Sequence, residues 1–207
     1  MKKIEGIRNL LFDLGGVIMN LKRENAVEAL KKLGMTDAND FLGEYGQKGP
    51  FLALEKGEVT TDEFRYMVRH HIGNVNLSDE ELDAAFNAFL DGIPAYRLSA
   101  LRELRNLYKV YLLSNTNEIM WNSRIREEFE KEGFSIECYF DGIVTSFEAH
   151  LYKPEAAIFC RVADVYGLRP EETLFLDDSL DNVRAAEALG FRCLHVAPGN
   201  EFMNFFC

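Results

Sequence analysis

Hydrophobic and polar positions along this chain fall into two alternating textures. Short apolar runs that end in polar or small residues recur around Ile7 to Asp13, Val110 to Ser114, Gly142 to Ser146, Thr173 to Asp177 and Cys193 to Ala197. Runs of this kind suit strands buried on both faces, as in a parallel sheet. Between them the apolar residues sit at helical spacing. Leu98, Leu101, Leu104 and Leu107 form a stripe for packing on a sheet. Ile158, Val162 and Val165 repeat it after Pro154, a residue suited to a first helical turn. Ala185, Ala186 and Leu189 do so again before Gly190, a helix C-terminus. Strand, helix and strand in repetition predict an α/β fold with a doubly wound, Rossmann-like parallel sheet.

Residues 20–94 break this rhythm and read as helical throughout, with no strand of core type. Thr60-Thr61-Asp62-Glu63 precedes Phe64, Met67 and Val68, and Ser78-Asp79-Glu80-Glu81 precedes Leu82, Ala85, Phe86 and Phe89. Both are capping boxes, in which the hydroxyl takes an orphan helix N–H and the glutamate returns to the cap. The expected organisation is a discontinuous core, 1–19 and 95–207, carrying a helical cap over 20–94. The junctions near Asn20 and Pro94 are expected to form a hinge over whatever site the core holds.

The chain has 207 residues, 47% of them hydrophobic, enough for a substantial core. Its net charge of −11 argues against nucleic acid, whose phosphates call for a basic face. A small anionic substrate stays compatible with that charge if a metal and a lysine reverse the local field. Glu127, Glu128 and Glu130 read as a solvated helix face. Cys138, Cys160, Cys193 and Cys207 form no close pair and no zinc spacing, and Cys160 and Cys193 read as small buried hydrophobes. No apolar run resembles a leader or a membrane span, so the expectation is a cytoplasmic protein without membrane contact. The apolar tail Phe202-Met203-Asn204-Phe205-Phe206 is expected to dock on the core or to form a dimer contact, giving a monomer or a homodimer. His70 and His71 are adjacent on a helix and face different ways, which makes a shared metal improbable.

Asp13, Ser114 and the pair Asp177-Asp178 all stand at strand ends, and Lys153 precedes a helix start at Pro154-Glu155. In α/β folds the carboxyl ends of parallel strands are where ligands bind. Three carboxylates gathered there repel one another unless a cation sits among them, and Mg²⁺ matches hard oxygen donors that share a phosphate. Lys153 would reach that phosphate as a point charge. Ser114 and the backbone of Asn115 would add donors, and an aspartate could then attack phosphorus.

Phe12-Asp13-Leu14-Gly15-Gly16-Val17, Leu113-Ser114-Asn115-Thr116-Asn117, Tyr152-Lys153-Pro154-Glu155 and Leu176-Asp177-Asp178-Ser179 resemble the four ordered motifs of the haloacid dehalogenase superfamily. The segment Leu54-Glu55-Lys56-Gly57-Glu58-Val59 followed by Phe64 is similar to the bacterial α-D-glucose-1-phosphate phosphatase branch. The resemblance implies Asp13 as nucleophile and magnesium ligand, with the Gly15 carbonyl and Asp178 as further ligands. It implies Asp177 and Asp181 as supporting residues, and Ser114, Asn115 and Lys153 as holders of the phosphoryl group. The expected activity is Mg²⁺-dependent hydrolysis of a small phosphorylated metabolite, such as α-D-glucose 1-phosphate, through an aspartyl-phosphate. One position departs from the pattern. Most phosphatases of the superfamily carry an acid–base aspartate two residues after the nucleophile, where this chain has Gly15. The expectation is a bias toward activated esters, whose leaving groups need a proton least. The rival expectations are a metal-independent dehalogenase using Asp13 on carbon and a non-catalytic binding module.

Overall fold

A computed structural model describes residues 1–43 and 48–207. Leu10, Leu11 and Phe12 are fully buried and form β1 (Asn9–Phe12), the middle of a five-stranded sheet. In chain order β2 (Asn20–Leu21), α1 (Arg23–Lys32), α2 (Ala38–Phe41), α3 (Gly49–Glu55), α4 (Thr61–Ile72), α5 (Asp79–Asn87) and β3 (Leu90–Gly92) follow. Next come α6 (Ala95–Arg105), β4 (Lys109–Ser114), α7 (Glu118–Met120), α8 (Arg126–Glu130), β5 (Gly142–Thr145) and α9 (Ser146–Ala149). The chain continues through α10 (Ala156–Tyr166), β6 (Thr173–Asp177), α11 (Leu180–Ala188) and β7 (Arg192–His195).

The sheet runs β5-β4-β1-β6-β7, all parallel, so strand order reverses at β1. Side chains alternate between its two faces, as the pleat requires. Leu10, Phe12, Val110, Leu112, Leu174 and Leu176 share one apolar cluster with Leu98, Leu101 and Leu104 of α6. Leu11, Tyr111, Leu113 and Phe175 share the other with Ile158, Phe159 and Val162 of α10. Both faces are therefore covered, which is why these strands read as continuous apolar runs. The outward side of α10 carries Cys160, which is exposed, contrary to the expectation of burial.

The helices α1 to α5 form a lobe packed around Phe51, Phe64 and Phe86. The Phe51 and Phe86 rings stack at 5.4 Å, and Phe64 meets Phe86 edge-on at 4.9 Å. Both capping boxes are present, at Thr60 with Glu63 and at Ser78 with Glu81. One apolar cluster runs from this lobe into the sheet. At the two junctions β2 pairs antiparallel with β3, a ribbon too short to leave a periodic signal in the sequence.

Two buried charged side chains tie these junctions down. Arg97 donates to the Ile18 carbonyl at 3.1 Å and to Asn20 Oδ1 at 2.9 Å while pairing with Glu201 at 2.8 Å. Glu128 accepts the Ile93 N–H at 2.8 Å and is wholly buried, so it does not belong to a solvated face. Trp121 is buried in the π-helical turn Trp121–Ile125 between α7 and α8 and packs instead of lining a crevice. His70 and His71 are exposed, and His71 pairs with Asp37 at 2.9 Å. Among the described residues no helix is long and apolar enough to cross a membrane.

The C-terminal turn Phe202–Phe206 docks on the core. Phe202 is buried with its ring edge-on to Phe12 at 5.1 Å, whereas Phe205 is exposed. Phe202→Ala should destabilise the protein by about 3–5 kcal/mol in urea unfolding, the usual result of emptying a buried aromatic site. Phe205→Ala should stay within about 0.5 kcal/mol. Equal effects of the two would contradict this docking.

Candidate active site

The β1–β6 register places Phe12 beside Leu176, so the next residues, Asp13 and Asp177, leave the sheet side by side. Ser114 ends β4 on the other flank of β1. Lys153 arrives from the loop after α9, and its ammonium lies 2.7 Å from Asp13 Oδ1 and 2.8 Å from Asp177 Oδ2. The cation is almost fully buried, at 2% exposure. Asn115 fixes this lysine from its main chain: its side chain accepts from Lys153 N and donates to Lys153 O, each at 3.0 Å. The Asn115 side chain is thus engaged with the lysine loop on both its amide nitrogen and its oxygen.

Asp177 is saturated by protein donors. Besides Lys153 it accepts from Ser179 N at 2.8 Å and from Asn182 Nδ2 at 3.0 and 3.1 Å. Asn182 was not anticipated from the sequence; Asp181 was, and it lies away from the site. Ser179 caps α11, which turns Asn182 back toward Asp177 and leaves Asp181 exposed, 3.7 Å from Arg184. Among the described residues no such partner reaches the Asp178 carboxylate, while His195 Nε2 holds its main-chain oxygen at 2.9 Å. Gly16 has φ +72°, and a Cβ there would overlap the Asp178 carboxylate. Only glycine permits that approach without strain.

One ligand oxygen each from Asp13, Asp177 and Asp178 lies within 4.8 Å of the others. Three carboxylates and one ammonium leave two excess negative charges in a largely dry place. Burial pushes the Asp13 carboxyl up to about 7, with Asp177 and Asp178 adding to the rise and Lys153 opposing it. Burial and Asp177 likewise raise Asp178. Burial alone would lower Lys153, but the two carboxylates hold its ammonium charged, above the ordinary lysine range. A divalent cation with hard-oxygen preference fits this donor set and its charge. Asp13 and Asp178 offer it free oxygens; Asp177 is already engaged.

In front of these groups opens a cavity of about 310 Å³, bordered by Gly15, Ser114, Asn115 and Asp178 from the core. Leu21, Phe51, Glu55, Phe89 and Leu90 border it from the lobe side, with Met120 and Tyr152 between. Phe64, in contrast, is committed to the lobe core. Glu55 entered the sequence analysis only as part of the segment resembling the glucose-1-phosphate branch, with no role assigned; it stands four residues after Phe51 and beside Leu54, on the apolar side of α3. It is 6% exposed, and its Oε2 accepts the Tyr152 hydroxyl at 2.8 Å. Burial pushes its carboxyl up to about 7 despite that hydrogen bond.

A family model described as haloacid dehalogenase-like hydrolase matches residues 7–190. The chain belongs to that family. It is 36% identical over 196 residues to a D-ribitol-5-phosphate phosphatase of Bacteroides thetaiotaomicron, covering 95% of each chain. A haloacid dehalogenase family enzyme of the same organism, solved as an aspartate-to-alanine mutant with magnesium and inorganic phosphate, superposes with a TM-score of 0.94. It shares 40% identity over 97% of this chain and 99% of that one. A predicted hydrolase of the family from Porphyromonas gingivalis superposes with a TM-score of 0.89 at 35% identity, covering 96% and 95% of the two chains.

Glu55 binds its proton more tightly folded, near 7, than its ordinary value of 4.5. Its contribution to stability is therefore full at low pH, below the ordinary value, and is lost as pH rises through the folded value. In urea titrations of metal-free protein across this window, Glu55→Gln should flatten the fall in stability by up to about one proton of slope. An unchanged slope would contradict a buried, cation-free carboxyl.

Proposed function

We propose that this haloacid dehalogenase-like hydrolase is a Mg²⁺-dependent phosphatase acting on a small sugar or polyol phosphate, with Asp13 as its nucleophile. The observation that carries the reading is the Lys153 ammonium bridging Asp13 and Asp177, with Asp178 beside them at the mouth of the cavity. Lys153 holds Asp13 Oδ1 at 2.7 Å, which fixes the orientation of the carboxylate. Asp13, Asp178 and the Gly15 carbonyl would hold the metal, and Asp177 positions Lys153. The metal, when bound, neutralises charge on the transferring phosphoryl oxygens. Lys153, the Ser114 hydroxyl and the Asn115 N–H meet the remaining phosphoryl charge. Attack by Asp13 forms the aspartyl-phosphate and releases the alcohol; water then attacks phosphorus and frees Asp13.

The substrate class rests on the relative named for D-ribitol 5-phosphate, and a cavity of about 310 Å³ has room for a small ester of that kind. The likeness of residues 54–64 to the glucose-1-phosphate branch keeps α-D-glucose 1-phosphate as the second candidate. A carboxylate triad with a buried lysine is a poor halide cradle, which disfavours dehalogenation.

With Mg²⁺ present, phosphate should be released from D-ribitol 5-phosphate, α-D-glucose 1-phosphate or a close analogue, and a chelator should silence it. Asp13→Asn should lower kcat by on the order of 10⁴-fold or more, as for other nucleophile removals. Failure of folded protein to release phosphate from any ester would refute the reading. Chelator-insensitive cleavage of a 2-haloacid would support the dehalogenase instead.

A further inference from the structure

We propose that Glu55, delivered by the inserted lobe, is the acid–base residue of this site and performs the proton transfers for which Gly15 has no side chain; the proposal rests on the phosphatase reading above. Glu55 borders the same cavity as Gly15, Ser114 and Asp178. It is the last residue of α3 and is held from three sides. Its main-chain oxygen accepts Ser146 Oγ at 2.6 Å, and that hydroxyl also accepts the Thr116 N–H at 3.0 Å beside the Ser114 strand end. The following Lys56 pairs with Glu155 at 2.9 Å, two residues beyond Lys153. Gly57, with φ +66°, lies so close to the Phe147 carbonyl and the His150 ring that a Cβ would overlap them. The carboxyl arm is thereby aimed before any substrate arrives, which is what a proton-transfer group requires.

A buried carboxyl without a cation is costly unless it has a use. Oε2 accepts the Tyr152 hydroxyl, and among the described residues no donor reaches Oε1. The groups facing it are few. Tyr152 keeps its proton, pushed well above its ordinary value by burial and by Glu55 itself. Lys56 is turned away to Glu155, His150 sits behind Gly57, and Asp178 borders the same cavity. Nothing among these fixes Glu55 as a carboxylate, and burial keeps it near neutrality.

In the first step Asp13 bonds to phosphorus while the P–O bond to the ester oxygen breaks. The electron pair goes to that oxygen, which takes the Glu55 proton and leaves as a neutral alcohol. In the second, water bonds to phosphorus and gives a proton to the Glu55 carboxylate, and the Asp13–P bond breaks with its electrons returning to Asp13. Tyr152 can donate to Glu55 in both protonation states. With this acid present, Gly15 does not confine the enzyme to activated esters.

The test is pre-steady-state turnover of Glu55→Gln with Mg²⁺, using p-nitrophenyl phosphate and two alkyl esters, D-ribitol 5-phosphate and D-ribose 5-phosphate. Glutamine keeps the Tyr152 hydrogen bond and the shape but transfers no proton. Alcohol release from the alkyl esters should slow by about 10²–10⁴-fold, the usual worth of such a transfer. The p-nitrophenolate burst, whose leaving group needs no proton, should stay within a few-fold of wild type, followed by slow steady turnover as the water step loses its base. Glu55→Asp should recover part of the alkyl rate. An equal fall in the burst for both ester classes, wild-type behaviour of Glu55→Gln, or a change confined to KM would overturn the proposal. So would a wild-type enzyme that hydrolyses p-nitrophenyl phosphate but neither alkyl ester. Absence of wild-type turnover on all three and on α-D-glucose 1-phosphate would instead refute the phosphatase reading itself.

Discussion

The ammonium of Lys153, buried between Asp13 and Asp177, is the constraint on which the rest of the site depends. An isolated lysine would not stay charged at that depth, and two isolated aspartates would not sit side by side. Together they hold one another, but a third carboxylate, Asp178, leaves the group short of positive charge. That shortfall makes a divalent cation part of the design. The parallel sheet supplies the geometry: strands on either side of β1 end level with it, so residues far apart in sequence converge on one edge. Side chains such as Asn115 and Asn182 do not reach for a ligand; they hold Lys153 and Asp177 where the chemistry needs them.

The lobe completes what the sheet begins. It shares an apolar cluster with the core, and its junctions are pinned by Arg97 and by Glu128. Phe51 and Glu55 stand with Gly15, Ser114 and Asp178 around one mostly apolar cavity. Excluding water from it strengthens the electrostatic interactions inside.

The strand ends were legible in the sequence because a carboxylate or hydroxyl terminating a fully apolar run is conspicuous. The capping boxes were legible because their chemistry is local. What escaped was set by helix phase and by contacts distant along the chain. Asp181 looked like a site residue, yet on the helix capped by Ser179 it lies exposed and Asn182 takes the inward position. Glu128 and Glu127 look alike in sequence, but only Glu128 turns inward to the Ile93 N–H. Cys160 falls on the outer side of a helix whose Ile158, Phe159 and Val162 face the sheet. Glu55 lay within the segment that resembles the glucose-1-phosphate branch, but its role was not legible because its partner Tyr152 is far along the chain. The short strands β2 and β3 pair only because the junctions meet.

The account stands on Asp13 as the atom that receives phosphorus. Acid-quenching the enzyme during turnover of p-nitrophenyl phosphate with Mg²⁺, reducing it with borohydride and sequencing the peptides by mass spectrometry tests this directly. The account predicts homoserine at position 13, the reduction product of an acyl phosphate, and none in enzyme quenched without substrate. Phosphate release with an unmodified Asp13, or with the label on another side chain, would contradict it.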